Sequence, residues 1–117
     1  AVSAVPQTQF VAGFIGSPAT NFLPARLLPE LGGDAATLGI RPEHAWLSSQ
    51  ADARLTGKAL YTEALGAETL VHLRLPSGEM FTIRQDGTEP HPAERETCHV
   101  GWDDARAMLF DGDGRRL

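Results

Sequence analysis

Hydrophobic and polar residues alternate along Val71, Leu73 and Leu75, with His72 and Arg74 between them. A period of two is what a strand buried on one face requires, because successive side chains point to opposite sides. Phe81 and Ile83 alternate in the same way with Met80, Thr82 and Arg84. Pro76, Ser77 and Gly78 lie between the two runs, so the pair predicts a hairpin. Leu55–Glu63 predicts a preceding strand, with Gly57 expected at a bulge, and Leu65, Gly66 and Ala67 turn the chain into Glu68–Leu75. Asp86–Arg95 is polar, carries Pro90 and Pro92, and predicts a loop. Cys98, Val100 and Trp102 then fall on one face of a strand, followed by Met108 and Phe110. Asp111–Gly114 has turn chemistry, which lets Arg115–Leu117 pair back as a last short strand.

The N-terminal segment has a different period. Phe10, Val11, Phe14 and Ile15 share one side of a short helix, Gly16 supplies its C-terminal turn, and Pro18 forbids continuation. Two turns of helix are not stable alone, so the apolar side has to dock on a neighbour. The expected architecture is mainly β: five or six strands in a small antiparallel OB-like barrel, with a short N-terminal helix. Residues 1–21 are assigned to the helix and linker, and residues 22–117 to the barrel.

Composition narrows the functional classes. The 117 residues are 42% hydrophobic and carry a net charge of −5, with nine arginines and a single lysine, Lys58. A polyanion-binding face needs clustered Lys and Arg along the chain, so nucleic acid is not an expected partner. Cys98 is the only cysteine, which excludes an intrachain disulfide and fits a reducing compartment. The apolar run Phe10–Ile15 is too short for a bilayer span, so no direct membrane insertion is expected. The sequence starts at Ala1 rather than Met, which suggests a fragment or processed product.

Catalytic templates fail in turn. There is no G-x-x-x-x-G-K-[ST], no G-x-S-x-G, no H-E-x-x-H and no cysteine pair at zinc spacing. His91, Cys98 and His99 lack a fourth ligand, and Asp111 and Asp113 lack the glutamate that closes a calcium loop, so no metal is expected.

Two segments stand out, FVAGFIGSPATNFL (Phe10–Leu23) and LGIRPEH (Leu38–His44). In this order they resemble the C-terminal domain of the ATP-binding subunits of maltose-type and glycerol-phosphate-type ABC importers. The ending MLFDGDGRRL (Met108–Leu117) resembles that family's close, and the resemblance covers most of the chain from Phe10 onward. Its motif residues here are Phe10, Gly13, Phe14, Gly16, Pro18 and Asn21, then Gly39, Ile40, Arg41, Pro42, Glu43 and His44. The resemblance implies a TOBE or OB-like (MOP-like) regulatory domain that follows an ATP-hydrolysing domain.

It implies further that ATP and Mg belong to that preceding domain, and that this chain itself carries no cofactor and no catalysis. The implied partners are a second copy of the subunit, the transporter's membrane subunits reached through the preceding domain, and a regulatory protein. The implied place is cytoplasmic, peripheral on the inner face of a bacterial plasma membrane. Two departures bear on this. The interval between Asn21 and Gly39 is shorter than in long family members, so additional strands there are expected to be reduced or missing. WDDARA (Trp102–Ala107) lacks the His that often precedes the family's Leu-Phe pair.

Individual residues admit two readings. Arg41 and Glu43 flank Pro42 either as contacts to the partner subunit or a bound anion, or as a local ion pair fixing a turn, the last being favoured. His44 reads as structural or solvated before it reads as a pH sensor. Trp46 and Trp102 read as core rings. Leu109 and Phe110 lie on opposite faces of a short strand, so one of them is available at a dimer seam. The alternative to a pairing and regulatory module is an oxyanion-binding barrel using Arg41, Arg74 and Arg84.

Overall fold

A computed structural model describes residues 17–117. The helix expected over Phe10–Ile15, and with it Phe10, Gly13, Phe14 and Gly16, lies outside the described residues. The fold is mainly β and consists of two antiparallel sheets. The smaller sheet has the order β1 (Asn21–Pro24), β2 (Thr37–Ile40), β8 (Met108–Phe110). The larger has the order β3 (Ala45–Ser48), β7 (Thr97–Trp102), β4 (Leu55–Ala64), β5 (Glu68–Arg74), β6 (Met80–Asp86). Its two edge strands, β3 and β6, approach each other, which curls the sheet toward a barrel.

The β5–β6 hairpin forms as its alternation predicts. Leu75 N–H donates to the Glu79 carbonyl, and Gly78 takes the left-handed backbone (φ 100°) that the turn requires. Gly66 does the same (φ 88°) between β4 and β5. Val71, Leu73, Leu75, Phe81 and Ile83 enter one core with Leu23, Leu38, Ile40, Ala59, Val100 and Trp102. Each of the large aliphatic or aromatic side chains among them contributes roughly 2 kcal/mol of burial. Arg116 bridges back to Phe110, as the last turn suggested.

Eight strands form among the described residues rather than five or six, because β1 and β3, four residues each, are too short to display a period. The bulge in β4 is at Leu60 and not at Gly57: the register runs Ala59↔Leu73 and then Tyr61↔His72. Gly57 has another role, since a Cβ there would lie 2.8 Å from the Arg74 carbonyl oxygen. Between β1 and β2 there is a 3-10 turn (Ala25–Leu27) and the short helix α1 (Pro29–Gly32), and no strand. No helix among the described residues is long and apolar enough to cross a membrane.

Candidate functional site

The described part of each of the three segments that carry the resemblance contributes a strand to the smaller sheet. Asn21 pairs with Ile40, Phe22 with Gly39 and Leu23 with Leu38. On the other side of β2, Leu38 pairs with Leu109 and Gly39 with Met108. Motifs far apart in the chain thus meet in one ladder, and alternation divides their residues between two faces.

Leu23, Leu38, Ile40 and Leu109 face inward to the core. Phe22, Gly39, Met108 and Phe110 face outward. A Cβ on Gly39 would lie 3.1 Å from both the Phe110 ring and the Thr20 methyl, so Gly39 leaves room for the ring to lie across β2. Phe22 meets Phe110 edge to face with centroids 5.8 Å apart, yet Phe22 remains 59% exposed. The outer face is therefore apolar and aromatic: Thr20, Met108 and Phe110 cover Gly39, Met108 and Phe110 are half-buried, and Phe22 is the residue that stands largely exposed. Of the pair considered for a seam, Leu109 is directed inward and Phe110 outward.

Asn21 is buried on the inward face and joins the two sheets. Its Nδ2 donates to the Thr82 carbonyl and its Oδ1 accepts from Thr82 N–H, both at 2.8 Å. The side-chain amide takes the place of a neighbouring strand along the edge of β6. Thr82 lies opposite His72, and its hydroxyl is 2.9 Å from His72 Nδ1. His72 Nε2 in turn is 2.7 Å from Glu63 Oε1, and the Tyr61 ring lies over the imidazole. Burial, and then the Glu63 carboxylate, push the Tyr61 hydroxyl up from its ordinary pKa. The alternation placed His72 on the exposed side of β5, but it is 1% exposed, because Tyr61 and Glu63 cover it.

The RPEH segment forms a 3-10 turn, Pro42–His44, that packs on β6. Pro42 is fully buried, whereas Arg41 and Glu43 are exposed. The three ion pairs among the described residues are Arg54–Asp104, Glu63–His72 and Glu68–Arg84, so the expected Arg41–Glu43 pair does not form. The partner of this turn is elsewhere: the Arg106 guanidinium donates to His44 Nε2 at 2.7 Å. Pro18, the remaining motif residue, is exposed.

Trp102 is buried and stacks on Phe81, but Trp46 is 49% exposed, which corrects the expectation that both rings are core. Trp46 pairs with Gly101 on the outer side of the larger sheet, and its indole covers the glycine backbone. The three arginines of the oxyanion alternative do not converge. Arg74 and Arg84 lie four residues apart along the β5–β6 ladder, about 13 Å, and Arg84 is held by Glu68.

Comparison with known proteins agrees with the motifs. The chain is 41% identical to an sn-glycerol-3-phosphate import ATP-binding protein of Chromohalobacter salexigens, covering all of this chain and 37% of that protein. It is 33% identical to a lactose transport ATP-binding protein of Rhizobium radiobacter, over 96% of this chain and 38% of that protein. It is also 33% identical to a maltose/maltodextrin import ATP-binding protein of Vibrio vulnificus, over 94% of this chain and 36% of that protein. The chain thus spans somewhat over a third of the length of these curated relatives. The first alignment runs over 140 positions against 117 residues, so that relative carries additional residues within the matched stretch. The TOBE domain family matches residues 38–110, from the inward Leu38 of β2 to the outward Phe110 of β8, and the chain belongs to that family.

Proposed function

We propose that this chain is the non-catalytic regulatory and pairing domain of an importer's ATP-binding subunit, serving the uptake of sugars or sugar-like phosphates. The names of the relatives support the setting. The observation that carries the pairing role is the outward face of the small sheet, where the largely exposed Phe22 stands beside half-buried Met108 and Phe110 over Gly39. Such a surface on a symmetric partner is self-complementary, and aromatic residues are the anchors from which interfaces are built.

In this reading ATP and Mg are bound and used by the preceding domain. The pairing domain keeps two such domains at high effective concentration while they open and close. The membrane subunits are engaged through that domain, which places the assembly at the inner face of the plasma membrane. A regulatory protein is a further partner in this reading. Amide NMR shifts followed as the chain is concentrated test the pairing. They should move at Phe22, Gly39, Met108 and Phe110 first. Shifts confined to the larger sheet would contradict the assignment of the seam.

A further inference from the structure

A second surface, on the larger sheet, is independent of the seam. Along one cross-strand row, Thr97 of β7 lies opposite Lys58 of β4, and Lys58 lies opposite Arg74 of β5. Like charges directly opposite each other on a sheet are destabilising. The chain's only lysine has been placed against an arginine although the net charge is −5. No carboxylate offsets the pair: the ion pairs among the described residues involve Arg54, His72 and Arg84 only. Residues 1–16 contain no Asp or Glu that could serve instead.

A third cation is directed to the same place by a strained backbone. Arg95 has φ 69°, the only non-glycine residue with a positive φ among those described. Its N–H donates to the Ala59 carbonyl at 2.7 Å, which holds the loop against β4 in that conformation. Strain of this kind persists where surrounding structure over-determines it, and it collects at binding sites. Lys58, Arg74 and Arg95 rim one cleft of about 530 Å³ whose lining includes half-buried Leu60 and exposed Pro76 and Thr97. Thr97 Oγ1 accepts from Lys58 Nζ at 2.8 Å, and the Arg74 guanidinium reaches toward the Gly78 carbonyl. Both cations are held by neutral acceptors, so their charge is not offset.

We infer that this cleft binds a small organic anion, with a phosphate or carboxylate head held by Lys58, Arg74 and Arg95 and an uncharged apolar body lying on Leu60 and Pro76. The volume fits one small molecule. The apolar floor distinguishes the site from a general attraction for inorganic anions.

Phenyl phosphate and inorganic phosphate are the probes, titrated at constant ionic strength with amide NMR and thermal melting as readouts. Phenyl phosphate should shift the amides of Lys58, Arg74 and Arg95 saturably and raise the melting temperature, with inorganic phosphate weaker by about tenfold or more. Lys58→Met and Arg74→Gln should each weaken phenyl phosphate by about tenfold. Without ligand, Lys58→Met should melt no lower than the unsubstituted chain, since the like-charge contact is removed. Arg84→Gln, outside the cleft and paired with Glu68, should leave binding unchanged. The inference is overturned if phenyl phosphate produces no saturable shift at these amides. It is equally overturned if inorganic phosphate binds as well, or if Arg84→Gln weakens binding as much as Lys58→Met.

Discussion

Asn21 and Thr82 are joined by two hydrogen bonds of 2.8 Å, one in each direction, between a side-chain amide and a strand's main chain. One residue of the small sheet thereby completes the edge of the large one. Removing it leaves the Thr82 N–H and C=O buried without partners, and each such group costs about 1–3 kcal/mol. Asn21→Ala should lower the unfolding free energy by about 3 kcal/mol in chemical denaturation. A loss below about 1 kcal/mol would mean that the clasp is replaced by water.

Gly39 and Phe110 form the second testable contact. Gly39→Ala puts a methyl group about 3.1 Å from the Phe110 ring and the Thr20 methyl. The outer face then has to spread, at a cost of roughly 1–2 kcal/mol. Adding Phe110→Ala should recover a large part of the penalty specific to Gly39→Ala, as a coupling measured in a double-mutant cycle. Strict additivity would show that the ring can move aside freely.

Trp46 and Gly101 make a contact that reports optically. A Cβ on Gly101 would lie 2.7 Å from Trp46 Nε1, and the indole, at the end of a mobile side chain, should swing outward. Gly101→Ala is therefore expected to move Trp46 emission to longer wavelength while costing less than about 1.5 kcal/mol. An unchanged spectrum would place the ring elsewhere.

Cys98 should react slowly. Burial, and then the Glu96 carboxylate, push its thiol pKa up from the ordinary value. At pH 8 the folded chain then holds less thiolate than the unfolded chain. Alkylation by iodoacetamide should be much slower in the native state than in guanidinium, with the native rate rising only at more alkaline pH. Equal rates in the two states would contradict the buried position.

Much of this fold is legible in the sequence. The β5–β6 hairpin follows from strict alternation and a Pro-Ser-Gly turn, and the inward face of β7 from Cys98, Val100 and Trp102. What is not legible depends on register. The extra residue at Leu60 brings Tyr61 and Glu63 opposite His72 and Leu70, and this turns an apparently exposed histidine into a buried one. Likewise Trp46 is outward because it pairs with Gly101, a consequence of where the Pro42–His44 turn starts β3. The cation row is hidden for the same reason: Lys58 and Arg74 are distant in sequence and look harmless until β4 and β5 align them. The motif residues themselves act at a distance, Asn21 on β6 and His44 on Arg106, and no local pattern announces either contact.

In the proposed function the aromatic outer face of the small sheet pairs two copies of the chain. Light scattering behind size exclusion, over a concentration series of the chain beside Phe22→Asp, tests it most directly. Phe22 is the most exposed aromatic residue among the described residues, so the charge should not disturb the core. The unsubstituted chain should form a reversible dimer and Phe22→Asp a monomer at the same concentrations, with melting temperatures close together at low concentration. A monomer at every concentration, or a dimer indifferent to Phe22→Asp, would contradict it.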